Sequence, residues 1–576
     1  MDARAAAHVL AEIATLRQLR GEDAGTSASF ESASKQLGAH PTRPLAEALS
    51  DIDCTDDVRA VLDELLQAGD SRLLDDLREE TPEGLQEMLR VPGLGPTTIH
   101  RVHAGLGIET LQELEDAVRD GRLAALPRFG TRLVERVRNG IAQLRATGAP
   151  VLLPHADAEA ARLRQEIASR DGVVRVEISG VLRRRMETIS ELTLVVECSG
   201  QPVAVAADLT HLRGVLRVVG VGTRVVTLHF ADATTATLHC VRPTQFAVTM
   251  LRTTGAPDHV REVMQRLTDR RFRVVDDEVR DATGTIVGVP DEPSIYALAG
   301  LAWIAPELRE SAGEVSASAQ GTLPSLIRAR DIAGVLHCHS LYSDGGYGIH
   351  DLAQAAIARG WSYLGISDHS GSALNAHGMS ADDVRRQHDE IDAVNAALGG
   401  RFRVLKGIEA DILPCGTVDF GAPLLDRFEY VIASVHTRFG MNSTQMTDRV
   451  LKAMEDPHVT VIGHPTGRLL LTREPYAINL ETILARAAAL GLAVELNADP
   501  HRLDLDWRWC RAAKAAGVQV ELGPDAHSIA GLDHVALGVS MARKGWLEPT
   551  DVLNTRSVDD VLAFARRRRD SALVVA

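Results

Sequence analysis

The sequence lacks paired cysteines and long apolar runs, and each absence excludes a class of protein. Its six cysteines are scattered along 576 residues without a CxxC motif, which argues against a zinc finger and against a disulfide framework. This scatter favours a reducing, cytoplasmic setting. The apolar runs have the length of strands, so the sequence predicts no membrane span. Acids inside the apolar pattern of residues 1–23 predict an amphipathic helix there and not a signal peptide.

Basic charge is also scarce. Lys and Arg total 62 against 78 Asp and Glu, which gives a net charge of −16. That balance, taken alone, argues against a nucleic-acid-binding protein. The charge is unevenly spread, however, because residues 121–150 carry six arginines and one acid, Glu135. With 45% hydrophobic and 24% charged residues, the composition predicts a globular protein of three to five domains.

The C-terminal part of the chain contains nine potential metal ligands. All but Asp344 stand at or just beyond the end of an apolar, β-branched run. His337 and His339 lie two residues apart, as do Asp525 and His527, so the members of each pair face one side of a strand. The nine residues are His337, His339, Asp344, His369, Glu409, His436, His464, Asp525 and His527.

From residue 334 onward, strand-like and helix-like segments alternate. Repeated βα units predict a parallel sheet, and seven strands can close into a distorted barrel that gathers the ligands at its mouth. Nine nitrogen and oxygen ligands exceed what one ion needs, so two or three ions of the Mn, Zn or Fe type fit. Such a site suits phosphoester hydrolysis, because a bound ion lowers the pKa of water to roughly 7. The predicted helices are 351–360, 381–398, 444–455, 480–490 and 507–516.

Two turns in the first part of the chain are typical of helix-hairpin-helix motifs. Residues 91–99, VPGLGPTTI, combine an apolar-Pro-Gly-apolar-Gly turn with a helix start, and residues 126–131, LPRFGT, form a weaker copy. Such glycines let the backbone approach a DNA phosphate, which the helix N-terminus then binds. The alternative is an ordinary connection between helices. The expected DNA contacts are Gly93, Gly95, Thr97, Gly130 and Arg132.

The rest of the chain before residue 334 divides into three patterns. Residues 1–90 have apolar positions at spacings of three and four, which predicts helices. Residues 150–310 are rich in strand-like runs, which predicts an α+β domain with a largely antiparallel sheet. Residues 308–333 are small and polar, and they predict a linker.

The nine ligands lie in segments that resemble the PHP (polymerase and histidinol phosphatase) domain. In that family these segments hold a trinuclear metal site, and all nine positions carry the expected residue types here. The ELNADPHRLDLDW stretch and the preceding regions extend the resemblance, so the whole chain is similar to bacterial family X DNA polymerases with a C-terminal PHP domain. The matching segments are HCHSLYSDG (337–345), SDHS (367–370), GIEADIL (407–413), ASVH (433–436), GHPTGR (463–468) and PDAHS (524–528).

The resemblance implies a multidomain α plus α/β architecture. The implied domains are a degenerate lyase-like helical domain (1–80), a helix-hairpin-helix region (81–150), a nucleotidyltransferase-like palm and thumb (151–310), a linker (311–333) and a PHP domain with a distorted (βα)7 barrel (334–576).

The nucleotidyltransferase-like region departs from the family pattern. The family uses a Gly-Ser turn and three carboxylates, which hold two Mg²⁺ ions. Here Val181 replaces the Ser, and the carboxylate positions hold Glu191, Thr193 and Thr237. Because one charged ligand of three remains, we expect polymerase activity to be lost. The alternative is that another acid, such as Asp232, substitutes.

Phosphate binding also departs from the family pattern at the N-terminus. Residues 52–56, IDCTD, stand where the first helix-hairpin-helix glycines belong, and the basic stretch of the lyase domain keeps one lysine, Lys35. We therefore do not expect residues 1–70 to grip DNA. The retained Arg183 and Arg184 could still hold a nucleic-acid phosphate.

The resemblance implies a DNA-processing hydrolase. The expected activity is that of a divalent-metal 3′→5′ exonuclease, with 3′-phosphatase and abasic-site endonuclease activities as further candidates. Two to three ions are expected, with Mn favoured and Zn or Fe as alternatives. Glu409 and His436 are expected to be catalytic, and Arg468 is expected to reach the substrate phosphate unless it forms a structural salt bridge. The expected partner is duplex or primer–template DNA, bound without sequence readout.

Three rival functions stay open at the level of sequence. The first is an active template-directed polymerase with proofreading. The second is a small-molecule phosphatase of the histidinol phosphate kind. The third is a non-catalytic DNA-binding scaffold.

Overall fold

The computed structural model shows two compact units. It describes residues 3–22, 24–39, 43–49, 52–69, 71–127, 129–146, 150–230, 234–373 and 378–575. The first unit comprises residues 1–134, 327–539 and 549–576, and the second comprises residues 135–326 and 540–548. None of the described helices is both long enough and apolar enough to cross a membrane.

The N-terminal region is helical, as predicted. Helix α1 buries Ala6, Leu10 and Ile13 at spacings of three and four, which is the pattern of an amphipathic helix. The helices are α1 (Ala3–Leu19), α2 (Ala24–Gly38), α3 (Leu45–Ala48), α4 (Asp56–Ala68), α5 (Arg72–Glu80), α6 (Glu83–Met88), α7 (Pro96–Leu106), α8 (Leu111–Asp120), α9 (Arg122–Ala125) and α10 (Thr131–Ala146).

The first predicted hairpin connects α6 to α7. Val91 and Leu94 are buried, whereas Gly93, Gly95 and Thr97 are exposed. Gly93 has a φ of +81°, which a side chain would disfavour. Gly95 precedes the helix start at Pro96, and a Cβ there would meet nothing within 4 Å. The turn therefore presents backbone to solvent at a helix N-terminus.

The second hairpin has the same arrangement of buried apolar and exposed turn residues. Phe129 is buried, and Gly130, Thr131 and Arg132 are exposed at the start of α10. The guanidinium of Arg101 on α7 lies 4.7 Å from the centre of the Phe129 ring. This contact ties the second turn to the helix that follows the first.

The second unit contains a five-stranded mixed sheet in the order β2-β4-β7-β6-β5. Only β4 and β7 pair in parallel, so the prediction of a largely antiparallel sheet is confirmed. The elements are β1 (Val151–Leu152), α11 (Leu153–Ala168), β2 (Val173–Ser179), α12 (Gly180–Arg183), β3 (Thr188–Ile189), β4 (Leu192–Cys198), α13 (Pro202–Leu209), β5 (Val215–Val219), β6 (Val225–Phe230), β7 (Thr235–Val241), α14 (Pro243–Thr254), α15 (Pro257–Asp269), β8 (Arg273–Val275), β9 (Glu278–Arg280), α16 (Glu292–Leu298) and α17 (Glu314–Gln320).

The stretch predicted as a linker is partly a packed helix. Helix α17 buries Val315 in a core with Val248 and Ile304. Its first residue, Glu314, is buried and lies 2.7 Å from His259 Nδ1. The helix was not predicted because small polar residues such as Ser and Gly favour loops, and tertiary contacts stabilise the helix here.

The C-terminal region alternates strands and helices. Each of the five predicted helices coincides with an observed helix to within two residues at each end, whereas three further helices, Ala422–Leu425, Val535–Lys544 and Val558–Val575, were not predicted. The elements are β10 (Gly334–Val335), α18 (Ile349–Ala358), β11 (Tyr363–Ile366), α19 (Ala381–Leu398), β12 (Arg403–Asp411), α20 (Ala422–Leu425), β13 (Tyr430–Ser434), α21 (Ser443–Met454), β14 (Val461–Ile462), α22 (Leu480–Leu490), β15 (Ala493–Glu495), α23 (Trp507–Ala516), β16 (Gln519–Glu521), α24 (Val535–Lys544) and α25 (Val558–Val575). Short 3₁₀ helices span Pro306–Leu308, Ala329–Asp331, Gly531–His534, Pro549–Asp551 and Leu553–Thr555.

Strands β10 to β16 form one parallel sheet in sequence order. A parallel bridge between Cys338 and Ala526 joins the extension of β10 to the segment after β16. The predicted seven-stranded barrel is therefore confirmed, and its carboxyl ends face one mouth.

Tyr430 and residues of α25 pack in one apolar cluster with the barrel strands. The buried Tyr430 hydroxyl donates to the carbonyls of Leu336 (2.5 Å) and Ile366 (3.1 Å). A Cβ at Gly407 would lie 2.0 Å from the Tyr430 ring, so glycine makes room for it. Phe564 on α25 belongs to the same apolar cluster as Tyr430. This packing holds β10, β11 and β12 in register beneath the mouth.

Candidate metal centre

The structure brings all nine predicted ligands together at the carboxyl ends of the barrel strands. His337 and His339 follow β10, Glu409 lies near the end of β12, and His436 follows β13. We call the nine residues the metal cleft; they are His337, His339, Asp344, His369, Glu409, His436, His464, Asp525 and His527.

Glu409 occupies the centre of the metal cleft and is buried. Its Oε1 lies 3.0 Å from His464 Nε2 and 3.3 Å from His436 Nε2. Its Oε2 lies 3.1 Å from His369 Nδ1 and 3.3 Å from His337 Nε2. A carboxylate whose two oxygens face separate sets of imidazoles is suited to bridge two ions.

Asp525 closes one side of the metal cleft. Its Oδ1 lies 3.1 Å from His339 Nε2 and 3.4 Å from His337 Nε2. Its other oxygen, Oδ2, accepts a hydrogen bond of 3.0 Å from Asn497 Nδ2. Asp525 has a φ of +49°, a left-handed backbone that aspartate adopts more readily than most side chains.

Asp344 and His527 lie on the solvent side of the metal cleft. Their side chains are 32% and 42% exposed, and Asp344 Oδ2 lies 3.3 Å from His527 Nε2. The same oxygen lies 3.5 Å from His369 Nε2. His527 Nδ1 lies 2.9 Å from the carbonyl oxygen of Asp525, which leaves Nε2 toward Asp344. This third group of donors is open to a substrate.

Two buried acids orient two of the imidazoles. Glu495 Oε1 lies 2.6 Å from His337 Nδ1, and Asp411 Oδ1 lies 2.7 Å from His436 Nδ1. Each contact fixes the ring so that Nε2 points into the cleft. Carboxylate partners of this kind are common behind metal-bound histidines and raise their basicity.

Asp368 organises the loop that carries Asp344. Its carboxylate accepts hydrogen bonds from the Ser340 backbone N–H and hydroxyl (both 2.6 Å), the Ser343 hydroxyl (2.5 Å) and Gln387 Nε2 (2.6 Å). All four groups are buried or nearly so. The loop is therefore held firmly although Asp344 itself is exposed.

The charges of the metal cleft perturb one another strongly. Although burial raises it, the imidazoles of His337, His436 and His369 hold the pKa of Glu409 well below its ordinary value. Burial lowers the pKa of His369, but the carboxylates of Asp344 and Glu409 raise it to about 8. The protein without ions thus balances buried carboxylates with protonated imidazoles.

The donor set fits divalent ions. Among the described residues, the buried His337 Nε2 and His369 Nδ1 form no hydrogen bond of good geometry, although each lies close to Glu409 Oε2. Imidazole and carboxylate donors together suit Mn, Zn or Fe. Within the metal cleft, three groups of residues have donor atoms within 4.8 Å of one another. They are His337 with His339 and Asp525, His369 with Glu409 and His436, and His339 with Asp344, His369 and His527.

Sequence reasoning missed the acids behind the ligands. Asp411 stands two residues after Glu409 on β12, so the alternation of the strand could have revealed it. Glu495 is an acid within the apolar run LAVEL, and its position at the end of β15 was a second available signal. Asp368 precedes His369 directly, but nothing in the sequence indicates its four partners.

Arg468 lies in a structural ion pair. Its guanidinium is buried, and Nη1 donates to Asp506 Oδ2 at 2.7 Å. Nε donates to the Arg502 carbonyl at 2.9 Å, and Nη2 donates to the Leu503 carbonyl. The expectation that Arg468 reaches the substrate finds no support in this placement, which favours the salt-bridge alternative. Arg502 instead faces the metal cleft, with Nε 3.6 Å from Asp525 Oδ2.

The degenerate polymerase positions also converge. Thr193 on β4 and Thr237 on β7 are direct cross-strand partners. The Thr237 hydroxyl lies 2.7 Å from the Thr227 hydroxyl and donates to the Glu191 carboxylate. Val181 lies nearby in sequence on α12. Within the described part of the chain, no group of three metal donors includes Glu191.

Both retained arginines of this region have protein partners. Arg183 Nη2 donates to Glu292 Oε2 at 2.5 Å, and Arg184 Nε donates to Glu310 Oε1 at 2.9 Å. These ion pairs compete with the nucleic-acid phosphate that the two arginines were expected to hold. The alternative acid, Asp232, lies outside the described residues.

Comparison with known families agrees with this layout. The family model of the PHP domain matches residues 336–499, which include seven of the nine cleft residues. The model of the DNA polymerase beta thumb matches residues 249–310. The model of the SAM-like helix-hairpin-helix tandem matches residues 85–142 and so includes both hairpins.

Comparison with individual proteins covers nearly the whole chain. It is 34% identical over 567 residues to the DNA polymerase/3′-5′ exonuclease PolX of Bacillus subtilis (strain 168), a match that covers 97% of this chain and 98% of the relative. A probable phosphatase of Syntrophotalea carbinolica is 29% identical over 248 residues, 40% of this chain and 94% of the relative. A probable phosphatase of Thermoanaerobacter sp. (strain X514) is 24% identical over 231 residues, 38% of this chain and 89% of the relative. The chain therefore belongs to the bacterial family X DNA polymerases that carry a C-terminal PHP domain.

Proposed function

We propose that this protein is a metal-dependent phosphoesterase that degrades DNA from the 3′ end. The observation that carries the proposal is the convergence of nine imidazole and carboxylate donors around Glu409. The Bacillus subtilis relative is named a DNA polymerase/3′-5′ exonuclease, and the shorter relatives are named probable phosphatases. The two exposed hairpins add a means of holding DNA by its backbone. Further candidate activities of the same site are 3′-phosphatase and abasic-site endonuclease.

The residues of the metal cleft have distinct roles in this proposal. Glu409 would hold ions through its two carboxylate oxygens, and Glu495 and Asp411 orient the imidazoles of His337 and His436. Three ions of the manganese type would generate a nucleophile from water near neutral pH and neutralise the phosphate charge. Because Asp344 lies at the open side, the substrate phosphate enters next to it.

Arg502 is the cation that we propose for the substrate phosphate. It lies beside Asp525, and its charge also lowers the pKa of His464 after the larger effect of burial. A guanidinium at this position can stabilise the charge of a phosphate in the cleft.

We propose further that the middle of the chain keeps the fold of a polymerase palm and thumb but not polymerase activity. Residues 151–310 would be an inactive palm and thumb, residues 81–150 would bind duplex DNA through Gly93, Gly95, Thr97, Gly130 and Arg132, and residues 334–576 would be the hydrolytic domain. The six free cysteines support a reducing, cytoplasmic setting.

The substitution Glu409→Gln should abolish the nuclease. The amide keeps the shape of the side chain but removes the charge that two ions share, so we expect a loss on the order of 10³-fold in kcat. The measurement is the shortening of a 5′-labelled primer in Mn²⁺, and Glu481→Gln, an exposed substitution on α22, is the matched control. Equal activity of Glu409→Gln and wild type would refute the role of the cleft.

Addition of dNTPs to the same primer–template should give no extension. Glu191 is the sole carboxylate among the three polymerase positions, and a two-ion site needs more negative charge. The test uses the His339→Ala/Asp525→Ala double variant, so that degradation cannot hide synthesis. Extension by this variant would show that the second unit is an active polymerase.

The substitution Arg502→Ala should weaken substrate binding. We expect KM for DNA to rise by roughly tenfold, which corresponds to the loss of about one charge-assisted hydrogen bond. Arg468→Ala should instead lower the melting temperature, because it removes a buried ion pair with Asp506 and the hydrogen bonds to the Arg502 and Leu503 carbonyls. If Arg468→Ala raised KM for DNA and Arg502→Ala lowered the melting temperature, Arg468 would be the phosphate contact instead.

Metal binding should weaken as the pH falls. Carboxylates raise the pKa of His369 to about 8 and that of His527 to about 10, in both cases against the effect of burial. These imidazoles are therefore protonated at neutral pH in the ion-free protein, and each ion must displace protons. We expect the apparent Kd for Mn²⁺ to rise at least tenfold between pH 8.5 and 6.5. Calorimetry in two buffers of different ionisation enthalpy should show proton release, and a pH-independent Kd would contradict this account.

A further inference from the structure

A buried acid of the N-terminal helices contacts the loop that follows a predicted ligand. Asp75 on α5 is 1% exposed, and its Oδ2 accepts a hydrogen bond of 2.6 Å from the backbone N–H of Arg438. Arg438 belongs to residues 436–441, which we call the His436 loop. The bond joins groups that are 363 residues apart in sequence but lie in the same compact unit.

The His436 loop needs external support because its backbone is strained. Arg438 has a φ of +62°, in the left-handed region that side chains disfavour. Such conformations persist when surrounding contacts fix them. Arg449 on α21 donates to the Thr437 carbonyl at 2.6 Å, and Asp75 accepts from the next amide along the chain. The barrel thus holds one side of the loop, and the N-terminal region holds the other.

Asp75 is itself held in place. Arg78, one turn along α5, donates to both carboxylate oxygens of Glu12 on α1, at 2.7 and 2.9 Å. Arg78 Nη1 also lies 3.9 Å from Asp75 Oδ1. Because the packing of α1 and α5 already fixes the Asp75 carboxylate, it can position the Arg438 N–H with little further loss of conformational entropy.

A second acid of the N-terminal helices lies close to another loop next to the metal cleft. Glu87 on α6 is buried, and its Oε2 lies 3.9 Å from His501 Nε2. Arg502, the next residue, lies beside Asp525. Helix α6 ends at Met88 and leads directly into the first hairpin. The N-terminal helices therefore approach the cleft through two loops, and they carry the hairpin with them.

We propose that Asp75 is a positioning residue of the metal cleft and that residues 3–88 complete the cleft as a structural partner of the barrel. Asp75 fixes the His436 loop, and the loop sets His436 Nε2 at 3.3 Å from His464 Nε2 and from Glu409 Oε1. The ion pocket of these three residues thus depends on the N-terminal region. In this chain the degenerate lyase-like region keeps a role that needs no grip on DNA. The inference rests on the proposed function only in taking this pocket as hydrolytic.

The most direct test is hydrogen exchange of the full chain without metal. In Asp75→Ala the amides of residues 437–441 should exchange roughly ten- to hundredfold faster, because a charge-assisted hydrogen bond is lost. Asp76→Ala, on the neighbouring and partly exposed side of α5, is the matched control and should leave these amides at the wild-type rate. Asp75→Asn keeps an acceptor oxygen and should restore most of the protection. Wild-type exchange in Asp75→Ala would overturn the proposal.

Metal binding and kinetics provide the second readout. Asp75→Ala should lower the affinity for one Mn²⁺ ion per chain by about 10- to 100-fold, which is the usual effect of losing a residue that orients a metal ligand. It should lower kcat without changing KM for DNA, and Asp76→Ala should do neither. Full affinity for every ion would overturn the proposal.

The outcomes separate this inference from the proposed function. A wild-type protein without nuclease activity would refute the function, yet the exchange and metal readouts would still decide the role of Asp75. If Asp75→Ala unfolds the N-terminal helices, faster exchange at residues 437–441 supports their role as a partner of the barrel. Unchanged exchange in such a variant shows that the loop is independent of them and overturns the inference.

Discussion

The buried carboxylate of Glu409 is the charge on which the C-terminal architecture depends. Removal of an ionised carboxylate from water costs several kcal/mol unless opposite charge surrounds it. Four imidazoles approach its two oxygens, those of His337, His369, His436 and His464. Each of them comes from the end of a different strand, so the charge can be balanced only if the barrel is closed and in register. The parallel bridge between the first and last strand segments provides that closure.

The two potential catalytic centres of the chain show how fold and chemistry separate. In the second unit, Thr193 and Thr237 preserve strand pairing because β-branched residues pack well in sheets. They supply hydroxyls where a two-ion site needs carboxylates. In the barrel, all nine positions carry a potential ligand, and Glu495 and Asp411 orient the imidazoles of His337 and His436. The sheet therefore keeps its strand pairing with one carboxylate at the three positions, whereas the barrel keeps both its fold and its potential ligands.

The sequence located the candidate ligands because their signal is local. A strand end followed by His or Asp identifies positions such as His464 and Asp525, and the 3.6-residue pattern located five helices of the barrel region. Contacts between distant segments left no such signal. The ion pair that buries Arg468, the packed helix after Gly313 and the bond from Asp75 to Arg438 each depend on tertiary structure. For the same reason, the sequence did not show that Arg468 is enclosed by Asp506 and two carbonyl groups, and the phosphate contact that we propose is Arg502.

Anomalous diffraction from crystals of the full chain soaked in Mn²⁺ would locate the ions. We expect three peaks within the metal cleft, two of them on opposite sides of the Glu409 carboxylate, and none next to Glu191. A pair of peaks between Glu191 and Thr237, or an empty cleft at saturating Mn²⁺, would contradict this expectation.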